Sequence, residues 1–274
     1  MPDDYKNEEL YENEDYEEED SGRRKLRIFF IILAILLIIF GAVYTGYYLY
    51  NQYLAGLEEP TTTVVETTAT TQTAKADNPI NFNDLRKQND EIYAWLKVPG
   101  TKVDHPVVQS KTDDAFYLKH DAYTKKWLAR GAIYTEMCNS KDFSDRVTVI
   151  YGHNGYSDTM FTTLHRFEDG DFFDKHENFY IYMPKRKLTY KIVSAFKYDS
   201  RHLMNFFDFE DDRVFAEFLG MIQNPTTGVK NVRNNLDREL SLNDNIVVLS
   251  TCIRNQSSKR YLVCGVLVKD EETN

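Results

Sequence analysis

Cysteine is scarce in this chain of 274 residues, which contains only Cys138, Cys252 and Cys264. An odd number cannot be fully paired within one chain, so at least one thiol is free. The other two either form a Cys138–Cys264 disulfide or are both buried and unpaired, and we expect the second arrangement. The chain also lacks a CxxC pair and an HExxH helix, so neither a metal site nor a bound metal is expected.

Net charge is absent outside the first 20 residues. Those residues hold eleven acidic side chains and one lysine, while the rest of the chain carries 32 basic and 32 acidic residues. The acidic segment is typical of a solvated tail. Because the remainder has no overall positive field, nucleic acid is not an expected partner.

One long apolar run interrupts this otherwise polar composition. Residues 28–50 are apolar, aromatic or small apart from Thr45, and as a helix they would extend about 34 Å, enough to cross a bilayer. Arg23, Arg24, Lys25 and Arg27 precede the run, and no small-residue cleavage site follows it. The pattern predicts an uncleaved, single-pass signal anchor in the cell membrane, with a cytoplasmic N-terminus and an extracellular remainder.

The composition predicts five segments. Residues 1–27 form the acidic tail with its basic end, 28–50 the anchor, 51–79 a threonine-rich linker, 80–270 one folded outer domain and 271–274 a short C-terminal tail. The tether restricts the substrates of the outer domain to molecules near the membrane surface.

The outer domain is predicted to be mainly β. Short helices are expected within 82–97, with Asn83 or Asp90 as caps, after Ser157 through Phe167, and at 211–223. Strand patterns occur at 101–109, 131–135, 147–151, 179–183, 188–197, 245–251 and 260–268. The segments around 184–187 predict a hairpin. Seven or eight strands with inserted helices indicate a barrel or a sandwich.

Cys252 and His153 each follow an apolar strand pattern. Strand ends hold side chains firmly yet leave them accessible, so a thiol nucleophile and an imidazole acid/base are predicted there. Arg260 opens the last strand, and a loop back from Cys252 could bring its guanidinium close enough to stabilise an oxyanion. Arg254 and Lys259 are rival cations, whereas the five other histidines are expected to be structural or exposed.

These segments resemble the motifs of sortases, and further segments resemble the class B branch. The catalytic motifs are Leu249-Ser250-Thr251-Cys252, Tyr151-Gly152-His153-Asn154 and Arg260-Tyr261-Leu262-Val263. The class B segments are those at 95–101, 106–109, 117–121, 160–161 and 172–176. In family order behind an anchor, they cover most of residues 85–268.

The resemblance implies an eight-stranded sortase β-barrel with N-terminal helices and a helix before the cysteine strand. It implies a transpeptidase that cleaves a C-terminal sorting signal of secreted surface proteins after its threonine. Cys252 would carry the acyl group as a thioester, and His153 and Arg260 would assist. The acceptor would be an amine of the peptidoglycan precursor or another amine. Ser250, Thr251 and Asn154 would belong to the substrate site, and no metal or organic cofactor would be needed.

Three alternatives remain open from the sequence. A membrane-tethered cysteine peptidase would use the same thiol and imidazole but release an acid. A pilin-polymerising sortase would transfer the acyl group to another protein. A non-catalytic surface-binding domain would account for the tether and the β-rich body without using Cys252.

Overall fold

The computed structural model describes residues 27–47, 49–50, 75–155, 158–234, 236 and 238–274. The chain divides between residues 70 and 71 into two units. The acidic tail, Arg23 to Lys25, most of the expected linker and the proposed cap Ser157 lie outside the described residues.

The first unit contains helix α1, Arg27–Tyr47, with a mean hydropathy of 2.9 over its most apolar stretch. Its apolar side chains are all exposed. By length and composition α1 can cross a membrane, as either an anchor or a signal segment.

The second unit is a closed β-barrel. Its strands are β1 Ile92–Lys97, β2 Asp104–Val108, β3 Ile133–Tyr134, β4 Val147–Tyr151, β5 Asn178–Met183, β6 Arg186–Asp199, β7 Lys230–Val232, β8 Ile246–Ile253 and β9 Gln256–Glu272. The strands pair in the order β5-β1-β2-β3-β4-β8-β9-β6, and β5 pairs with β6 to close the ring. Strand β7 adds to the side of β6. The eight-stranded barrel is therefore confirmed, and the sandwich alternative is wrong.

Short helices decorate the barrel. They are α2 Phe82–Gln88, α3 Gly170–Lys175, α4 Leu203–Phe206 and α5 Asp212–Gln223, together with 3-10 helices at Phe116–Leu118 and Thr162–Glu168. Helix α5 begins where it was predicted, because the Asp211 carboxylate accepts hydrogen bonds from the Arg213 and Val214 backbone amides. Of the stripe ending at Phe167, Leu164 and Phe167 lie in a 3-10 helix, whereas Met160 and Phe161 precede it.

The helical prediction for 82–97 was wrong in its second half. Helix α2 ends at Gln88, its cap is Asn81, and Ile92–Lys97 form strand β1 between β2 and β5. Five of the six β1 residues are buried. A strand covered on both faces shows no alternation of polar and apolar residues, so its pattern did not distinguish it from a helix.

The structured unit extends beyond the expected bounds of 80 and 270. The Ala76 amide donates to the Glu272 carbonyl, and the Asn78 side chain donates to the Met183 carbonyl at 2.9 Å. Strand β9 continues to Glu272, and Thr273 is buried. The N-terminal and C-terminal ends of the structured unit thus pack on the β5–β6 hairpin. The two predicted arms of this hairpin are confirmed.

Two apolar cores lie on opposite faces of the barrel wall. The inner core includes Leu96, Ile133, Leu249 and Val263 from four different strands. The outer core joins alternate residues of β4, β6, β8 and β9 to the buried face of α5. Successive residues of β8 therefore alternate between the two cores, which fixes the face that each side chain occupies.

A pair of glycines tests this packing. Strand β9 passes so close to the Phe179 ring that a Cβ on Gly265 would overlap it, whereas a Cβ on Gly220 of α5 would meet nothing within 4 Å. We expect Gly265→Ala to reduce the free energy of unfolding by about 1–3 kcal/mol through overpacking. Gly220→Ala should be neutral or stabilise by up to about 1 kcal/mol. Urea unfolding measures both, and equal effects would contradict the packing.

Candidate active site

The parallel pairing of β4 with β8 brings His153 beside Cys252. Tyr151 pairs with Ser250, and the Gly152 amide donates to the Ser250 carbonyl, so the pairing continues past the end of β4. His153 follows Tyr151 by two residues, and Cys252 follows Ser250 by two. Equal offsets along parallel strands keep residues side by side and on the same face.

The antiparallel pairing of β8 with β9 places Arg260 directly opposite Cys252. Arg260 also lies opposite Tyr198 of β6. Directly opposite residues in an antiparallel pair point to the same face. Cys252, Arg260 and Tyr198 thus form one row across three strands, on the outer face of the barrel.

A bulge in the β8–β9 hairpin holds the Arg260 guanidinium. The register jumps between Cys252 and Ile253, which pairs with Gln256, so residues 257–259 have no counterpart on β8. Arg260 Nη1 donates to the carbonyls of Ser257 and Lys259, each at 3.0 Å. These two bonds fix the guanidinium at the strand edge while its other N–H groups can serve a ligand.

The three predicted catalytic side chains line one pocket. Its walls contain the exposed Cys252 together with His153 and Arg260, and Ser250 and Thr251 also contribute. Thr251 is almost fully buried and shares the inner face of β8 with Leu249, so it borders the pocket mainly through its backbone.

The rival cations lie elsewhere. Arg254 Nη2 donates to the Gly155 carbonyl at 2.7 Å, and Lys259 lines a separate groove with Lys197.

A hydrogen bond to the main chain fixes the His153 tautomer. His153 Nε2 lies 2.7 Å from the Leu118 carbonyl oxygen. Because a carbonyl can only accept, Nε2 must carry a proton, which leaves Nδ1 for proton exchange. The segment that carries the Leu118 carbonyl packs against Gly131, which has a φ of 57°. Gly131 approaches the Tyr117 and Leu118 carbonyls too closely for a Cβ atom, so a glycine is needed there.

Other polar residues of the pocket were missed by sequence reasoning. Glu136 Oε1 lies 2.7 Å from His202 Nε2, and the Tyr198 ring lies under the Arg201 guanidinium. Burial raises the pKa of Glu136, although the hydrogen bond from His202 opposes the shift. These residues come from loops and from the C-terminal end of β6, and only the fold brings them together. No local motif marks them.

Asn154 and His165 approach Cys252 from its backbone side. Asn154 Nδ2 donates to the Cys252 carbonyl at 3.0 Å and lies 3.0 Å from His165 Nε2. His165 was expected to be structural or exposed, and its side chain is in fact about 23% exposed.

The expectation of two buried spare cysteines was half wrong. Cys264 is fully buried in the outer core, but Cys138 is exposed, and neither forms a disulfide. Cys138 lies in the loop after β3, where its sulfur is 4.0 Å from Glu136 Oε2. Partial burial of the thiol and the carboxylates of Glu136 and Asp114 raise the pKa of Cys138 to about 11.

Comparisons with known proteins agree with this geometry. The family model described as the sortase domain matches residues 96–268. Sortase B of Staphylococcus aureus is 30% identical over 69% of this chain and 75% of its own length. Sortase B of Listeria monocytogenes is 29% identical over 68% of this chain and 74% of its own length. The structure of a Staphylococcus aureus sortase B–substrate complex superposes with a TM-score of 0.59 at 28% identity, covering 69% of this chain and 84% of that one.

A β-barrel carrying a thiol, an imidazole and a guanidinium in one outer-face pocket defines a class of cysteine transpeptidases. The chain belongs to the sortase family, in its class B branch. Sortases act on sorting-signal substrates and amine acceptors, and they are extracellular or membrane-associated.

The raised pKa of Cys138 predicts that its thiol reacts slowly with alkylating reagents, although the residue is exposed. At pH 8 a pKa near 11 leaves about 0.1% thiolate, compared with about 10% for an unshifted cysteine. In a Cys252→Ala variant, iodoacetamide should therefore label Cys138 about ten- to a hundredfold more slowly than a cysteine in an unstructured peptide. Adding Glu136→Gln should speed this labelling. Labelling as fast as the peptide would show that the site does not suppress the thiolate.

Proposed function

We propose that Cys252 is the nucleophile, His153 the acid/base and Arg260 the oxyanion stabiliser of this transpeptidase. The supporting observation is the register that sets Arg260 opposite Cys252 and carries His153 alongside, in one open pocket. The exposed sulfur of Cys252 is reachable by a peptide, and an imidazole beside it can take the thiol proton during attack.

The reaction begins with attack of Cys252 Sγ on the carbonyl carbon of the sorting-signal threonine, while the thiol proton passes to His153 Nδ1. Arg260 donates to the oxyanion that develops. The C–N bond then breaks, and the departing amine takes a proton from His153 Nδ1, leaving a thioester on Cys252. An incoming amine attacks the thioester, His153 accepts its proton, and breakage of the C–S bond restores the thiolate.

The acceptor that we propose is an amine of the peptidoglycan precursor, and the peptide substrate is the sorting signal of a secreted surface protein. The related Staphylococcus aureus enzyme has been solved as a substrate complex, which supports peptide binding by this chain. Ser250 lies beside Cys252 on the same face of β8 and would contact that peptide. Thr251 would contribute backbone groups. The Asn154 side chain contacts the Cys252 carbonyl, so we assign it to holding the nucleophile as well as to the substrate site.

We further propose that α1 is a signal anchor that leaves the barrel outside the cell. Residues 28–44 of α1 are all apolar, aromatic or glycine, and the basic residues Arg23, Arg24, Lys25 and Arg27 precede them, which favours a cytoplasmic N-terminus. The threonine-rich residues 51–74 would then tether the barrel to the outer membrane face, next to lipid-linked cell-wall precursors.

Product analysis separates this function from its alternatives. The full chain in detergent should convert a sorting-type peptide to an amide when an amine is supplied, and Cys252→Ala should form none. A peptidase would release only the acid in the presence of the amine. If the Cys252→Ala protein still fulfils its cellular role, a binding domain would be the better description. A preference for a pilin lysine over cell-wall amines would indicate pilin polymerisation.

Arg260 offers a sharper test. Replacing it with alanine removes the oxyanion donor, so kcat/KM should fall by about 10²–10³-fold. Lys259 is a neighbouring cation that lines another groove, so Lys259→Ala is the matched control. This variant should change kcat/KM by less than about threefold. Mass spectrometry of the amide product measures both. Equal losses in the two variants, or an unaffected Arg260→Ala, would contradict the assignment.

A further inference from the structure

The backbone of Cys252 is held next to an irregularity in strand pairing. The β8–β9 register shifts immediately after Cys252, so the ladder is irregular on its C-terminal side until Ile253 pairs with Gln256. The Cys252 carbonyl instead accepts a hydrogen bond from Asn154 Nδ2 at 3.0 Å. The orientation of the sulfur therefore depends on side chains rather than on the regular sheet.

His165 orients the amide that makes this bond. His165 Nδ1 lies 2.7 Å from Glu168 Oε1, and a carboxylate accepts, so Nδ1 carries the proton. In the neutral imidazole, Nε2 is then an acceptor, and it lies 3.0 Å from Asn154 Nδ2. The Asn154 amide has two hydrogens, so it can donate one to His165 and the other to the Cys252 carbonyl. His165 Nε2 also lies 3.2 Å from that carbonyl oxygen, and because neither atom carries a hydrogen in this tautomer, the Asn154 amide is the donor that links them.

The imidazole ring of His165 also contacts strand β9. It stacks on Tyr261, with ring centroids 4.8 Å apart and an interplanar angle of 25°. Tyr261 is fully buried and follows Arg260, just as Asn154 follows His153. One side chain thus touches Cys252 itself and the chain neighbours of both other catalytic residues, from the 3-10 helix Thr162–Glu168.

We propose that His165, with its proton position set by Glu168, is a positioning residue that holds the Cys252 backbone, and hence the sulfur, in register with His153 and Arg260. This role rests on the proposed function of those three residues. His165 acts through Asn154 and the Cys252 carbonyl rather than through the pocket walls. Its loss should therefore lower kcat, which depends on the alignment of the thiol, and leave the KM for the peptide nearly unchanged.

Two substitutions separate the hydrogen bond from the ring stack. His165→Phe keeps a ring against Tyr261 but removes the acceptor for Asn154. His165→Gln removes the ring but keeps an amide oxygen within reach of Asn154. We expect kcat for amide formation to fall about 10- to 100-fold in the phenylalanine variant, with KM changed less than about twofold. The glutamine variant should retain kcat within about threefold of the unmodified chain.

A second pair of substitutions, at Glu168, leaves the ring stack between His165 and Tyr261 unchanged. Glu168→Gln keeps an oxygen that can accept from His165 Nδ1, whereas Glu168→Leu removes it. Both positions are partly exposed, so thermal unfolding should be similar. The leucine variant should lose several-fold more kcat than the glutamine variant. This comparison decides the matter if the His165 variants prove unstable.

The outcomes distinguish the two proposals. If the unmodified chain forms no amide product, the proposed function fails. The positioning role is overturned if the unmodified chain is active but the variants do not separate as expected. That is the case if His165→Phe is at least as active as His165→Gln and Glu168→Leu is at least as active as Glu168→Gln. A rise in KM with unchanged kcat in the phenylalanine variant would also overturn it, because that result places His165 in peptide binding.

Discussion

The proposed active site depends on the register of three strand ends. The parallel ladder between β4 and β8 sets His153 beside Cys252, and the antiparallel ladder between β8 and β9 sets Arg260 opposite it. Side chains alternate along a strand, so a slip of one residue in either ladder would turn a catalytic group into the barrel. The two cores prevent such a slip, because it would place Leu249 and Val248 on the wrong faces of the wall.

In this arrangement the pairing of the strands brings the three proposed catalytic side chains together. Close to the thiol the structure uses irregular features: a bulge whose carbonyls hold Arg260, a main-chain oxygen that fixes the His153 tautomer, and an asparagine that holds the Cys252 carbonyl. Each one is a side-chain hydrogen bond to the main chain at the edge of the sheet, beside the pocket that we propose binds a peptide. A rigid barrel with an irregular edge can therefore be both stable and accessible.

The sequence allowed the prediction of features with local signals. The apolar runs before His153 and Cys252 marked strand ends, Asp211 marked the start of α5, and the charged turn after Met183 marked a hairpin. Features that arise from tertiary structure were not predictable. Strand β1 is buried on both faces and resembled a helix, and Cys138 is exposed because its loop runs over the surface. The contact of His165 with Cys252 joins residues 87 positions apart.

The most direct test of this account is the intact mass of the full chain after brief exposure to a sorting-type peptide without an added amine, followed by peptide mapping. We predict one acyl adduct on Cys252 that adds the mass of the peptide segment ending in threonine less one water and disappears when an amine is added. An adduct on Cys138, or turnover without any adduct on Cys252, would contradict the account.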